Sequence, residues 1–171
     1  FALLLMPPAA VVGLSASLEG HHPLAGSMSW VWPLLLATQY ALLWRQDRAA
    51  QDAPVGVAGL HVATLWLVAG LASWELHWLV ARNTAGVWEH LPWGLVPAAL
   101  LWLLARDPLV PAWPLQRHAE SYRRIAGGAL ALWTLAWAVV INLASGGDPQ
   151  PLPYLPLLNP LELLLILITL L

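Results

Sequence analysis

The chain has 171 residues, 60% of them hydrophobic and only 9% charged, with a mean hydropathy of +0.68. A soluble domain carries about 25% charged residues, so lipid is the solvent expected for most of this chain. Seven arginines, no lysine and nine acids give a net charge of −2, which argues against a nucleic-acid partner; with no cysteine there is no disulfide, thiolate metal site or thiol nucleophile.

Taken in order, six apolar segments approach the roughly 20 residues that a transmembrane helix needs. They lie at about 1–18, 28–44, 56–81, 88–105, 125–145 and 158–171. The first opens on FALLLMPPAAVV and the last stops inside LELLLILITLL, and each reads as cut through a hydrophobic helix. The opening run has no basic region and no small-residue cleavage pattern, so it is not read as a signal peptide. The expected architecture is an all-α transmembrane bundle over 1–171, with four complete and two truncated spans joined by short loops. A longer parent chain would supply the remaining spans.

Charge tests this count independently. With six spans, loops 19–27, 82–87 and 146–157 share one side and carry only Arg82. Loops 45–55 and 106–124 share the other and carry Arg45, Arg48, Arg106, Arg117, Arg123 and Arg124. That asymmetry assigns the second pair to the cytoplasm and the first set to the periplasm. Eight tryptophans, Trp30, Trp32, Trp44, Trp74, Trp78, Trp88, Trp93 and Trp113, fall near predicted interfaces, where the ring is buried and the N–H stays wet.

In the 56–81 span, Gly59, Ala63, Gly70, Ser73 and His77 fall on one face at about 100° per residue. Such a small-residue stripe predicts close helix approach and an inward-facing His77. Glu75 points to another face, which it shares with Arg82. Glu89 and His90 open the next span, where the helix dipole favours a carboxylate, and Pro97 predicts a kink within it. Glu75, His77, Glu89 and His90, with Asn142 and Glu162 as outer candidates, either line an outward-facing polar chamber or form the solvated rim of the bundle. Intramembrane ionisable groups are functional candidates by default.

Further along, WPLQRHAESYRR (113–124) reads as a short helix on the cytoplasmic surface leading into the 125–145 span. The stretch SGGDPQPLPYLPLLNPLELL (145–164) predicts an extended external segment, with Tyr154 at headgroup level. A helix then follows, with Asn159 as its N-cap, Pro160 at its first position and Glu162 at its third.

No metal is expected from spacing along the chain, because no two histidines are four apart and the adjacent His21–His22 pair matches no known site. No cofactor is expected either, since the tryptophan-rich motif of haem-handling membrane proteins is absent. Motifs of the GxSxG, HExxH and P-loop kinds are also missing.

DPQPLPYLPLLNPLELL, with GHHPLAG, ELHW and PLQRHAESYRR, resembles the DUF2339 family of large bacterial predicted membrane proteins. The resemblance implies a multi-pass inner-membrane location and a longer chain, and carries over no catalytic residue. Three roles are then expected to compete. The first is transport or ligand sensing through the outward chamber. The second is an enzyme on a lipid-linked or periplasmic substrate, with an external Glu or His as general base. The third is a scaffold bound to an envelope protein partner.

Overall fold

The computed structural model describes residues 22, 24–49, 55–106, 113–150, 153, 155–156 and 158–170. The predicted span at 1–18, His21 and Tyr154 lie outside the described residues, as do the middles of loops 45–55 and 106–124.

The described fold is all-α. Helix α1 spans Met28–Ala49, α2 Val55–Ala81, α3 Pro92–Ala105, α4 Leu115–Ala144 and α5 Pro160–Thr169, with a 3₁₀ turn at Gly86–His90 before α3. Two helices, α2 and α4, are long and apolar enough to cross a bilayer. Their most apolar stretches have mean hydropathies of 1.6 and 1.7, yet only 28% of each is buried. The core helix of a water-soluble protein would be mostly covered. Here Leu132, Leu135, Val139, Val140 and Leu143 of α4 stand exposed instead, an outward apolar face suited to lipid.

The tightest packing sets α3 against α4 and α2 against α3. Ala69 of α2, Leu104 of α3, and Tyr122 and Leu130 of α4 form the core among these three helices. Helix α1 packs on α2 through Leu43 and Leu60. Nearby, the Gln39 amide donates to the Thr64 hydroxyl at 3.3 Å, a polar tie of the kind that holds membrane helices together. At the opposite end, Val87, Ile141 and Leu161 join the 3₁₀ turn, α4 and α5.

Several element boundaries differ from the sequence reading. Helix α1 continues past position 44 because its inward face continues: Trp32, Gln39, Leu43 and Asp47 are its buried residues, spaced 7, 4 and 4 apart as one side of a helix requires. The 88–105 span divides into the 3₁₀ turn and α3, with Pro92 at the first position of α3, where its missing N–H costs nothing. The short helix at 113–124 is not separate from the following span. It runs into it through a non-helical His118 (φ −120°, ψ 26°) and a π turn at Ser121–Ala126.

The small-residue stripe is a contact face only at one end, where Ser73 is buried and His77 meets the Glu89 carbonyl. Gly59 and Ala63 are exposed, and a Cβ added at Gly59 or Gly70 would meet nothing within 4 Å. The buried residues of α2 include Leu60, His61, Thr64 and Ala69, with Ser73 as the buried member of the stripe. Close approach occurs elsewhere, where the Trp137 indole lies directly on Gly94. Trp32 is only 2% exposed, so it belongs to the core and not to an interface belt.

Helix α5 begins as its sequence predicts. The Asn159 side chain accepts from the Leu161 N–H at 2.9 Å, and its amide donates to the Gly147 carbonyl at 2.6 Å. One residue thus caps a helix and ties down the preceding loop. Asn159→Ala is expected to cost about 1 kcal/mol through the cap alone, with a further loss from the loop tie, read as a lowered thermal midpoint in detergent.

Candidate functional site

Three helices deliver one side chain each to a buried cluster. Asp47 comes from the last turn of α1, His61 from the second turn of α2 and His118 from the first turn of α4. Their exposures are 2%, 0% and 3%. The His118 Nε2 lies 2.9 Å from Asp47 Oδ1, and the His61 Nε2 lies 3.2 Å from Asp47 Oδ2. Two aromatic side chains complete the surround. The Trp113 Nε1–H donates to Asp47 Oδ2 at 2.8 Å, and the Tyr122 hydroxyl lies 3.2 Å from His61 Nδ1.

Local structure explains the convergence. Arg48 turns outward over the Trp44 ring at 4.6 Å, which leaves Asp47 on the inward face of α1. His118 and Tyr122 are four residues apart on α4, and both rings reach His61, at centroid distances of 4.4 and 5.9 Å. Trp113 closes the cluster edge-on to His61 and to Tyr40.

Burial by itself would raise the Asp47 carboxyl. The hydrogen bonds from Trp113 and His118, together with the charge of the neighbouring imidazoles, outweigh it and hold the group below the ordinary carboxylate range. Asp47 is therefore an anion facing two ring nitrogens. Each of the three residues offers one ligand atom, a ring nitrogen or a carboxylate oxygen, and these atoms all lie within 4.8 Å of one another. Ligand atoms around a tetrahedral ion with bonds of about 2.1 Å sit about 3.4 Å apart, inside the 4.8 Å that bounds this set. Tyr122 and Trp113 hold the outer sides of two of these groups, as the hydrogen-bond partners of metal ligands do.

The residues singled out from sequence lie at the other end of the bundle. His61 and Glu75 are 14 residues apart on α2, an axial distance of about 21 Å. Glu75 takes His22 Nδ1 at 3.0 Å to each carboxylate oxygen and the Leu24 N–H at 3.1 Å, while Arg82 lies over the Trp78 ring. His77 bonds through Nδ1 to the Glu89 backbone carbonyl. His90 meets the Glu89 carboxylate at 3.5 Å, both well exposed. Asn142 is exposed and donates to Ala138 O of its own helix at 2.8 Å. Glu162 lies in the first turn of α5. Thus His77, Glu89 and His90 are neighbours, whereas Glu75 and Asn142 have other partners. Among the described residues, the only cluster of three or more carboxylates and imidazoles within ligating distance is the one at Asp47.

Sequence spacing could not reveal that cluster. Its members are separated by 14 and 71 positions from Asp47, so no local motif records them. The available signal was topological: all three fall at helix ends on the arginine-bearing side.

The profile of the family described as predicted membrane protein (DUF2339) matches residues 1–171. No curated protein and no solved structure matches the chain.

Proposed function

Since the chain belongs to the DUF2339 family of predicted membrane proteins, we propose that it is a multi-pass inner-membrane protein that binds a divalent transition metal through Asp47, His61 and His118. In this reading the six apolar segments cross the bilayer, and the arginine-bearing ends face the cytoplasm. The metal then sits at the cytoplasmic end. The outer residues His77, Glu89 and His90 form the wet rim, tied by backbone and neighbour contacts.

One observation carries the proposal. Two imidazoles and a carboxylate from three helices converge within 4.8 Å in a buried site, with Tyr122 and Trp113 supporting them from behind. Two histidines with one carboxylate suit zinc, or ferrous iron in open sites. When bound, such an ion supplies a Lewis acid and acidifies a coordinated water. With three protein ligands, a position remains for an outside ligand. That favours a sensing or catalytic role at the inner face over a purely structural one.

The test is a zinc titration of the full-length protein, purified in detergent and stripped with chelator. One ion per chain should bind, with release of protons. His61→Ala and His118→Ala should each weaken binding by at least ~100-fold, the upper range for loss of even an outer partner. His77→Ala should leave binding unchanged. A wild-type protein that takes up no ion above background would reduce the cluster to a hydrogen-bonded clamp between helices.

A further inference from the structure

We propose that three tryptophan–arginine pairs at helix ends bind the phosphates of anionic phospholipids, two in one leaflet and one in the other. Four of the seven arginines, Arg48, Arg82, Arg106 and Arg117, follow a tryptophan by four positions. Three of these pairs stack. The Arg48 guanidinium lies 4.6 Å from the centre of the Trp44 ring, and those of Arg82 and Arg106 lie 3.6 Å from Trp78 and Trp102. The fourth spacing match does not stack, because the Trp113 indole turns inward to Asp47.

Helix geometry places these pairs. Residues four apart share a face, about 6 Å from one another along the axis. Each pair closes its helix, since α1 ends at Ala49, α2 at Ala81 and α3 at Ala105. A cation is favoured there by the carbonyl end of the helix dipole. Side chains lean back toward the helix N-terminus, so each guanidinium folds over the indole one turn earlier. That holds the charge at headgroup depth instead of out in water. Helices α1 and α3 end near Asp47 and Tyr122, which meet at the inner cluster, whereas α2 ends beside the 3₁₀ turn at the other end of the bundle.

Charge selects the ligand. All three arginines are exposed, and among the described residues none of them has a carboxylate partner. Arg124, by contrast, takes Glu120 at 2.7 Å. Stacking covers one flat face of the guanidinium and leaves the N–H donors around its edge. A phosphate accepts two such N–H groups side by side in charge-assisted bonds. Trp44 and Trp102 are each 44% exposed, so their indoles also offer apolar surface to the acyl chains of the same molecule. A soluble anion would use only the guanidinium; a phospholipid uses both groups. A zwitterionic headgroup already carries a cation beside its phosphate, so the unpaired arginine charge favours a net-anionic lipid.

The experiment is native mass spectrometry of the full-length protein in detergent, titrated with phosphatidylglycerol or phosphatidylcholine. Phosphatidylglycerol should bind about fivefold more tightly at each pair, the weight of one basic residue at a membrane surface. Arg48→Gln, Arg82→Gln and Arg106→Gln should each lower the number of tightly held phosphatidylglycerols by one. Trp44→Leu and Trp102→Leu keep the charge and remove the stack, and should act as Arg48→Gln and Arg106→Gln do. Arg124→Gln removes an equally exposed charge that Glu120 already occupies, so it should leave the lipid count unchanged. Thermal midpoints close to the wild type in all six variants show that the fold is intact. Equal binding of the two lipids, or an unchanged count in the three arginine variants, overturns the proposal. Tryptophan variants that behave as the wild type does, or Arg124→Gln losing as much lipid as the others, would reduce the effect to bulk charge and overturn it too.

Discussion

Asp47→Ala is expected to be among the most damaging substitutions in the chain, both to stability and to metal binding. The carboxylate accepts from His61, His118 and Trp113, and so links α1, α2 and the start of α4. Alanine would strand two buried imidazoles, with centroids 4.4 Å apart, and a half-buried indole N–H. Each buried donor left without an acceptor costs about 1–3 kcal/mol. A fall in thermal midpoint and in membrane level should therefore accompany complete loss of zinc binding. Asp47→Asn separates the two effects. It keeps the shape and one acceptor, so it should retain more stability than alanine while still losing the metal. The sign of the pH response follows from the depressed carboxyl: its contribution is present above the ordinary carboxylate range and is lost as pH falls through the folded value. In the wild type, zinc at a hundred times its dissociation constant should add about 2.7 kcal/mol of stability. If Asp47→Ala proves as stable as the wild type, the cluster is not the linchpin assigned to it.

That cluster also marks the limit of what the residues disclose in linear form. Composition alone identifies an apolar, lipid-suited chain, because 60% hydrophobic residues cannot be hidden in so small a core. Helix α2 and the cap at Asn159 are equally readable, since apolar length and an Asn-Pro start are local properties. The contact faces are not local. Gly59, Gly70, Ser73 and His77 align on one side of α2 by periodicity, yet nothing packs on Gly59 or Gly70, while Ser73 of the same stripe is buried along with His61, Thr64 and Ala69. Helical spacing says which residues share a face; it does not say which face meets a partner. Glu75, His77, Glu89 and His90 stand out in the chain because they are close in sequence. Asp47, His61 and His118 do not, because they meet only once the helices are assembled.

The second large effect is expected at Gly94, where packing leaves no room. Gly94 is buried, and a Cβ there would overlap the six-membered ring of Trp137 on α4. The indole is held in place. Its Nε1–H donates to the His90 carbonyl at 3.1 Å, and its ring packs against the Val87, Ile141 and Leu161 cluster. Moving it aside would break that bond and loosen the joint between α3, α4 and α5. Gly94→Val should thus cost more than the usual 1–3 kcal/mol or so of an overpacked core, with Gly94→Ala intermediate. The matched control is Gly70, on the stripe that the sequence marked for close approach. Alanine there meets open space, so Gly70→Ala should be neutral or should stabilise by about 0.5–1 kcal/mol through helix propensity. Thermal unfolding of both variants in the same detergent decides the matter. Equal tolerance at the two positions would mean that α3 and α4 do not meet as closely as described, whereas loss at Gly94 alone ties bundle assembly to the Trp137 contact.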